Sequence, residues 1–399
     1  MRQGSSLRGT ARRTRIVGTA VVAAAALLLS ACSGVTGSGE RPGSDGAPQS
    51  PASSLAFSDE LTGQLREAVE SVMSEYEVPG ASVGVWVPGH GEWTQAFGVA
   101  DLQTQAPVTL DMSWPIRSIT KSYTVTLLLQ LVDEGKVSLS DTLDTYLPGV
   151  TNGDQITLLQ LANMSSGVDE YVDDAFMAQL EADPTHVFTL EELNHGVLGA
   201  PAQFAPGTQY VYTNSNTNLI GAVIEKVTGK PYAEVLASRI LIPAGLANTQ
   251  YIVDVSKWTA PHAIGYAPSG ENGALEAQDQ NPSMLGPAGA LVSTLSDGHQ
   301  WAQTLGSGVL LRAQTHALRG DGHEIAAPPY DLYGVGIGQT GGWFGHNGEG
   351  LGFTAATFYH PQSGSVIVVY MNLSNAIDGA HPADLTFRKI TEVLGNSGM

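Results

Sequence analysis

The sequence predicts an α+β protein, an antiparallel sheet flanked by helices with a mostly helical subdomain set into it. Three observations carry this expectation. Strand signals cluster near both ends of the ordered chain, at 81–99 and 353–371. Apolar spacings of three and four residues dominate between them. An amphipathic helix stands outside each strand cluster, after Ser58 and from Pro382. Such an order implies one sheet built from both ends of the chain and a helical insertion. The 399 residues, 42% hydrophobic and 14% charged with 47 Gly and 21 Pro, suit one large domain and exclude a disordered chain or a coiled coil.

Taken in order, Arg2, Arg8, Arg12, Arg13 and Arg15 precede an apolar run from Ile16 to Leu29. The run is too short for a membrane span and reads as a signal peptide over 1–31. Arg12-Arg13 hints at twin-arginine export. Leu29-Ser30-Ala31-Cys32 resembles a bacterial lipobox and holds the one cysteine of the chain. Cys32 is therefore expected to be lipidated, anchoring the protein to the outer face of the cell membrane. A lone cysteine also excludes an intrachain disulfide. Residues 32–54, rich in Gly, Ser and Pro, read as a flexible tether, and 55–399 as the folded domain. Its α/β part is expected at 55–117 and 285–399, its helical part at 118–284.

Within that domain Ser58 can cap a helix to about Tyr76, with Leu61, Leu65, Val69, Val72, Met73 and Tyr76 on one stripe. Ala81–Val87 and Trp93–Val99 flank a Pro-Gly-His-Gly turn and read as a hairpin. A strongly apolar helix begins near Ser118 and ends before Gly135. Leu158–Met164, Leu190–Leu198 and Asn218–Thr228 are helical patterns; Phe353–Tyr359 and Ser365–Met371 are strands; Pro382–Leu394 is a closing helix.

The charge balance is 18 basic against 38 acidic residues, a net charge of −20. Loss of 1–31 would leave 13 basic residues and a net charge of −25. Without a basic cluster beyond residue 15, nucleic acid is not an expected partner. The ten histidines show no H-E-x-x-H spacing, so neither a metal nor another cofactor is expected.

Ser118-Ile119-Thr120-Lys121 places an amine one helical turn from a hydroxyl. A serine hydroxyl needs a neighbouring base to act as a nucleophile, and a lysine serves once burial lowers its pKa. Tyr212-Thr213-Asn214 follows in the loop before the 218–228 helix, offering a hydroxyl for proton relay and an amide for holding an acyl chain. Gly345-His346-Asn347-Gly348 comes shortly before the Phe353 strand. Gly80-Ala81-Ser82-Val83-Gly84 fits a nucleophile-elbow string, but its context is helix then strand, the wrong order. Glu191-Glu192 reads as a solvated helix face. Trp343 and Phe344 line an acyl pocket or pack the sheet.

Ser-x-x-Lys, Tyr-x-Asn and His-x-Gly in this order resemble the penicillin-recognising serine hydrolases. That group spans D-alanyl-D-alanine carboxypeptidases, class C β-lactamases, esterases and D-amino-acid peptidases. The resemblance covers about Leu55 to Leu394 and looks nearest to secreted actinobacterial carboxypeptidases. It implies a β-lactamase-like fold, an acyl intermediate on Ser118, proton transfer shared by Lys121 and Tyr212, and a catalytic position for His346. It further implies that Asn214 orients the substrate amide, that Asn347, Gly348 and Glu349 contact substrate, and that the Ser118 and Glu349 N–H groups form the oxyanion hole. The expected partner is a small acyl substrate (cell-wall peptide, β-lactam or ester), and the expected state a monomer. One departure matters. Asn347 and Glu349 stand where Thr is common, and 334–348 contains no Arg or Lys to bind a terminal carboxylate. This counts against a peptide carboxypeptidase and for esters or amine-bearing substrates. The leading expectation stays a D-alanyl-D-alanine carboxypeptidase-like or β-lactamase-related hydrolase at the cell surface, with an esterase or D-amino-acid amidase or peptidase as the alternative. A non-catalytic binder of wall peptide is the alternative outside the enzymes.

Overall fold

The computed structural model describes residues 56–269, 274–277, 281–326, 328–375 and 381–399. The leader, the tether and Cys32 lie outside the described residues.

Ser58 caps the first helix, Asp59–Tyr76, accepting from the Leu61 N–H at 3.2 Å. The stripe Leu61, Leu65, Val69, Val72 and Tyr76 is buried. Two strands follow, Gly80–Val87 and Gly91–Asp101, paired antiparallel. The first also pairs with Val366–Met371, Ala81 opposite Met371. That strand pairs on its other edge with Phe353–Tyr359, which pairs in turn with Trp343–Gly350. These are the inner strands of a nine-stranded sheet with antiparallel pairings throughout. Both ends of the chain thus build one sheet.

Successive side chains of a strand point to opposite faces. Ile367, Val369 and Met371 join a core with Asp59–Tyr76 and the last helix, Pro382–Asn396, while Val366, Val368 and Tyr370 join a second core with the helix Leu295–Ser307. A sheet covered on both faces needs no polar alternation, which is why 366–371 reads Val-Ile-Val-Val-Tyr-Met.

The second core continues into the central helix, Thr120–Asp133, on which eleven of fourteen residues are buried. Its second half, residues 127–131, is almost wholly apolar, while the buried Thr120, Lys121, Ser122, Thr124 and Thr126 of its first half are hydrogen-bonded. A 3₁₀ turn, Arg117–Ile119, leads into it, and Gly135 in the left-handed region follows its end. Around it stand Leu158–Ala162, Leu190–His195 and Asn214–Thr228. The last begins four residues before the expected start, because the Thr213 side chain caps it. Asn214 is accordingly the first helical residue rather than part of a loop. The third motif, shortly before the Phe353 strand as expected, lies inside a strand of its own, Trp343–Gly350. Its glycines serve close packing: a Cβ at Gly345 would stand 2.1 Å from the Thr357 carbonyl on the adjacent strand.

Candidate active site

Ser118 sits in the 3₁₀ turn ahead of the buried helix, and its neighbour Arg117 adopts φ 50°. Such a conformation is costly for a residue with a Cβ and persists only where surroundings enforce it. Here the Arg117 side chain is 3% exposed; its Nε donates to Gly350 O at 2.9 Å and its Nη2 to Leu351 O at 3.2 Å. The turn holding Ser118 is thereby tied to the turn that ends the third-motif strand. Burial pushes the guanidinium down to about 9, opposed by the nearby Glu349 carboxylate.

One helical turn on, Lys121 is fully buried. Its Nζ stands 2.9 Å from Ser118 Oγ and donates to Asn214 Oδ1 at 2.7 Å and Ala288 O at 3.0 Å. The Asn218 side chain holds the Ala288 segment by accepting its N–H at 3.1 Å. Burial lowers the Lys121 pKa to about 7, against the opposing charge of Glu170. The amine is therefore substantially neutral near pH 7 and within reach of the serine proton, as a general base requires.

Tyr212 places its ring 4.8 Å from Lys121 Nζ. Burial raises its hydroxyl well above the ordinary phenol value, opposed by the Ser118 hydroxyl. A phenol held protonated donates and relays a proton better than it abstracts one. Lys121 is thus the better-poised base of the pair.

Glu170, which sequence reasoning missed, organises the second motif. Its carboxylate accepts from the Asn214 N–H at 2.7 Å, Asn214 Nδ2 at 3.2 Å, the Tyr171 N–H at 3.0 Å and Ser215 Oγ at 3.4 Å. It fixes the amide so that Oδ1 faces Lys121. No spacing signals this: Glu170 lies in a loop 44 residues before Asn214.

On the other side Gly348 packs against the nucleophile turn. A Cβ there would stand 2.4 Å from Ile116 O and 3.0 Å from Ser118 N. Only glycine lets this strand run so close. Glu349 beside it is exposed, its carboxylate accepting from the Ser374 hydroxyl. Asn347 lines the cleft; its N–H donates to Tyr330 Oη at 3.0 Å, and that hydroxyl donates to Asn347 Oδ1.

His346 lies behind Tyr212, ring centroids 6.2 Å apart, and does not line the cleft. It is buried behind the cleft wall, with Nδ1 3.1 Å from Tyr330 Oη and Nε2 3.1 Å from Tyr333 Oη. Burial and the charge of Lys121 lower its pKa to about 3. It is a neutral packing and orienting group that does not touch Ser118. Tyr330 was likewise missed, since nothing in its local sequence marks it.

The cleft encloses about 460 Å³ and is bounded by Ser118, Tyr212, Asn214 and Asn347 with an apolar wall that includes Tyr210 and Tyr330. Trp343 points to the opposite face, against Phe387 with ring centroids 5.7 Å apart, so it packs the sheet. Ser82 is buried mid-strand, and Glu192 completes a capping box with Thr189.

A β-lactamase-type sheet with a serine, a depressed-pKa lysine and a tyrosine in the cleft beside its helical part defines the active-site serine hydrolases of that fold. The chain belongs to the Beta-lactamase family, whose sequence profile matches residues 65–387. A D-aminopeptidase of Brucella anthropi is 31% identical over 296 residues, 72% of this chain. The chain spans 55% of that relative's length. A D-stereospecific amidohydrolase from Streptomyces sp. superimposes with TM-score 0.71 at 27% identity, covering 83% of this chain and 97% of its own. The D-amino acid amidase from Ochrobactrum anthropi SV3, complexed with L-phenylalanine amide, shares the fold with TM-score 0.73 at 23% identity, covering 86% and 100%.

Proposed function

We propose that the protein hydrolyses amides or short peptides that carry a free α-amino group on a D-configured residue, through an ester on Ser118. The observation that carries the hydrolytic part is the 2.9 Å approach of Ser118 Oγ to a Lys121 amine whose pKa is about 7. The Ser118 proton passes to Lys121 Nζ as Oγ attacks the carbonyl carbon. The resulting oxyanion lies between the Ser118 and Glu349 N–H groups. The amine leaves with a proton relayed from Lys121 through the Tyr212 hydroxyl. Water then cleaves the ester, with its proton returning along the same route, and a carboxylate is released.

The substrate class rests on charge. Glu349 flanks the cleft and Glu170 backs Asn214. No Arg or Lys occurs in 334–348, and Arg117 is buried against backbone carbonyls. Such surroundings favour an ammonium over a terminal carboxylate. The D-aminopeptidase and D-amidohydrolase relatives support this reading over a carboxypeptidase. The deciding assay compares D-phenylalanine amide, its L-enantiomer, an N-acylated D-Ala-D-Ala peptide, a short ester and a fluorescent penicillin, each with wild type and Ser118→Ala. Preferential turnover of the D-amide, abolished by Ser118→Ala, supports the proposal. Undiminished hydrolysis by Ser118→Ala, or turnover confined to the D-Ala-D-Ala peptide, refutes it.

We place this activity outside the cytoplasmic membrane, tethered through a lipid on Cys32, on the strength of the basic n-region, the apolar run and the lipobox. An unchanged membrane fraction in Cys32→Ala cells would remove the anchor.

A further inference from the structure

Away from the cleft, a second cavity of about 240 Å³ opens between the helix Leu295–Ser307, the segment 316–320 and the start of the third-motif strand at Phe344. Leu305, Ala317, Ile337, Phe344 and Pro361 make its walls largely apolar. It shares no lining residue with the cleft. Its polar boundary is Arg319, 3% exposed.

Arg319 is a buried cation without a counter-charge. Nη1 donates to Val335 O at 3.1 Å and Nη2 donates to Thr126 Oγ1, both neutral acceptors. Nε has no partner. Among the described residues no carboxylate forms an ion pair with it. His316 lines the same cavity, and its buried Nδ1 is also without a partner. A buried charge left unpaired is strongly unfavourable, and a buried donor without an acceptor adds to the cost. Apolar walls around an uncompensated guanidinium select one chemistry: a single negative charge on an apolar body. A neutral amide or alcohol leaves the charge uncompensated, and a cation is repelled. A dry cavity of about 150 Å³ holds benzene, so this one accommodates a tail of about six to eight carbons.

We propose that this cavity binds a small monocarboxylate with an apolar tail, its carboxylate toward the Arg319 side chain and its tail against Leu305, Ile337 and Phe344. Because Nη2 of Arg319 bonds Thr126 on the helix that carries Lys121, the occupied site braces the catalytic helix from behind. The site is independent of the activity proposed above.

The test is calorimetric titration of the full chain carrying Ser118→Ala, so that turnover plays no part, with hexanoate and with hexanamide as its neutral isostere. One hexanoate per chain is expected, with hexanamide at least tenfold weaker. Ala317→Trp, at an exposed rim position, plugs the cavity without touching the guanidinium. It should weaken hexanoate at least tenfold at an unchanged melting temperature. Arg319→Met should abolish the preference for the anion; should it fail to fold, the Ala317→Trp comparison still decides. Absence of saturable hexanoate binding, equal affinity for the amide, or binding unaffected by Ala317→Trp would each overturn the proposal.

Discussion

Replacing Gly348 by alanine probes how the third-motif strand delivers its backbone to Ser118. The new Cβ would stand 2.4 Å from Ile116 O, 2.9 Å from Arg117 Cβ and 3.0 Å from Ser118 N. The closest of these falls 0.6 Å short of the 3.0 Å below which Cβ contacts essentially do not occur. Strand and turn must therefore part by at least that distance. The two Arg117 hydrogen bonds, to Gly350 O and Leu351 O, tie the same segments and resist the separation. A displacement of 1 Å at an active site costs about 100-fold in rate; scaled logarithmically, 0.6 Å costs about 15-fold in kcat/KM. Overpacking should also remove about 1–3 kcal/mol of stability. The assay is D-amide hydrolysis together with the rate of Ser118 acylation by fluorescent penicillin, each beside a thermal melt. Gly63→Ala is the control, since nothing stands within 4 Å of a Cβ there and it lies in a helix. It should gain about 0.5–1 kcal/mol with activity unchanged. If Gly348→Ala acylates within threefold of wild type while Gly63→Ala behaves as stated, the contact between strand and nucleophile turn does not set the oxyanion site.

Four further outcomes are expected. With Lys121 as the base of the proposed mechanism, the kcat/KM profile should carry an acid limb near pH 7. That limb should persist in His346→Leu and be absent from Lys121→Met. The Lys121 pKa falls from 10.5 to about 7 on folding, so the unfolded chain binds more protons between those values and stability rises with pH across that window. The penalty is complete below pH 7; denaturant titrations at pH 6 should show Lys121→Met more stable than wild type by about 2–4 kcal/mol, less at pH 10. Glu170→Gln removes the charge that supports the Lys121 ammonium and loosens Asn214, so the acid limb should move to lower pH while kcat falls. An unmoved limb would reduce Glu170 to a structural part. Thr189→Ala breaks the capping box with Glu192, in which the Glu192 N–H reaches Thr189 Oγ1 at 3.2 Å and the carboxylate returns to the Thr189 N–H at 2.6 Å. It should cost about 1 kcal/mol in a melt and leave turnover intact.

What could be read from the sequence was whatever local periodicity encodes. The spacing of Ser118 and Lys121 is a helical turn, the first helix announces itself by period, and the hairpin and the last two strands do so by their turn signals and their β-branched and aromatic residues. Contacts made across the chain were legible only through resemblance. Lys121 and Asn214 touch although 93 residues separate them, and no local rule pairs them. Glu170 was invisible because its role lies in three bonds to a helix start that has not been placed until the chain folds. Local sequence places the third motif only as a stretch shortly before the Phe353 strand; Gly345 and Gly348 admit neighbouring backbone within a strand of their own. His346 carried a catalytic expectation from its motif position, but Tyr330 and Tyr333, 16 and 13 residues earlier, enclose it.

The strand Val366–Met371 lies between the N-terminal hairpin and Phe353–Tyr359, and its pairing joins Ala81 to Met371. It works as a clasp. Until it is inserted, strand pairing leaves the hairpin and the rest of the large sheet as two pieces, each with an apolar edge open to other chains. Closing it brings together residues 290 positions apart, a high contact order that slows folding. A ribosome must therefore release nearly the whole domain before any part of the large sheet is complete. Cleavage or premature termination ahead of residue 366 would yield no partly active fragment, only material for proteases and aggregates. The nucleophile, encoded in the first third of the chain, waits on a strand made almost last.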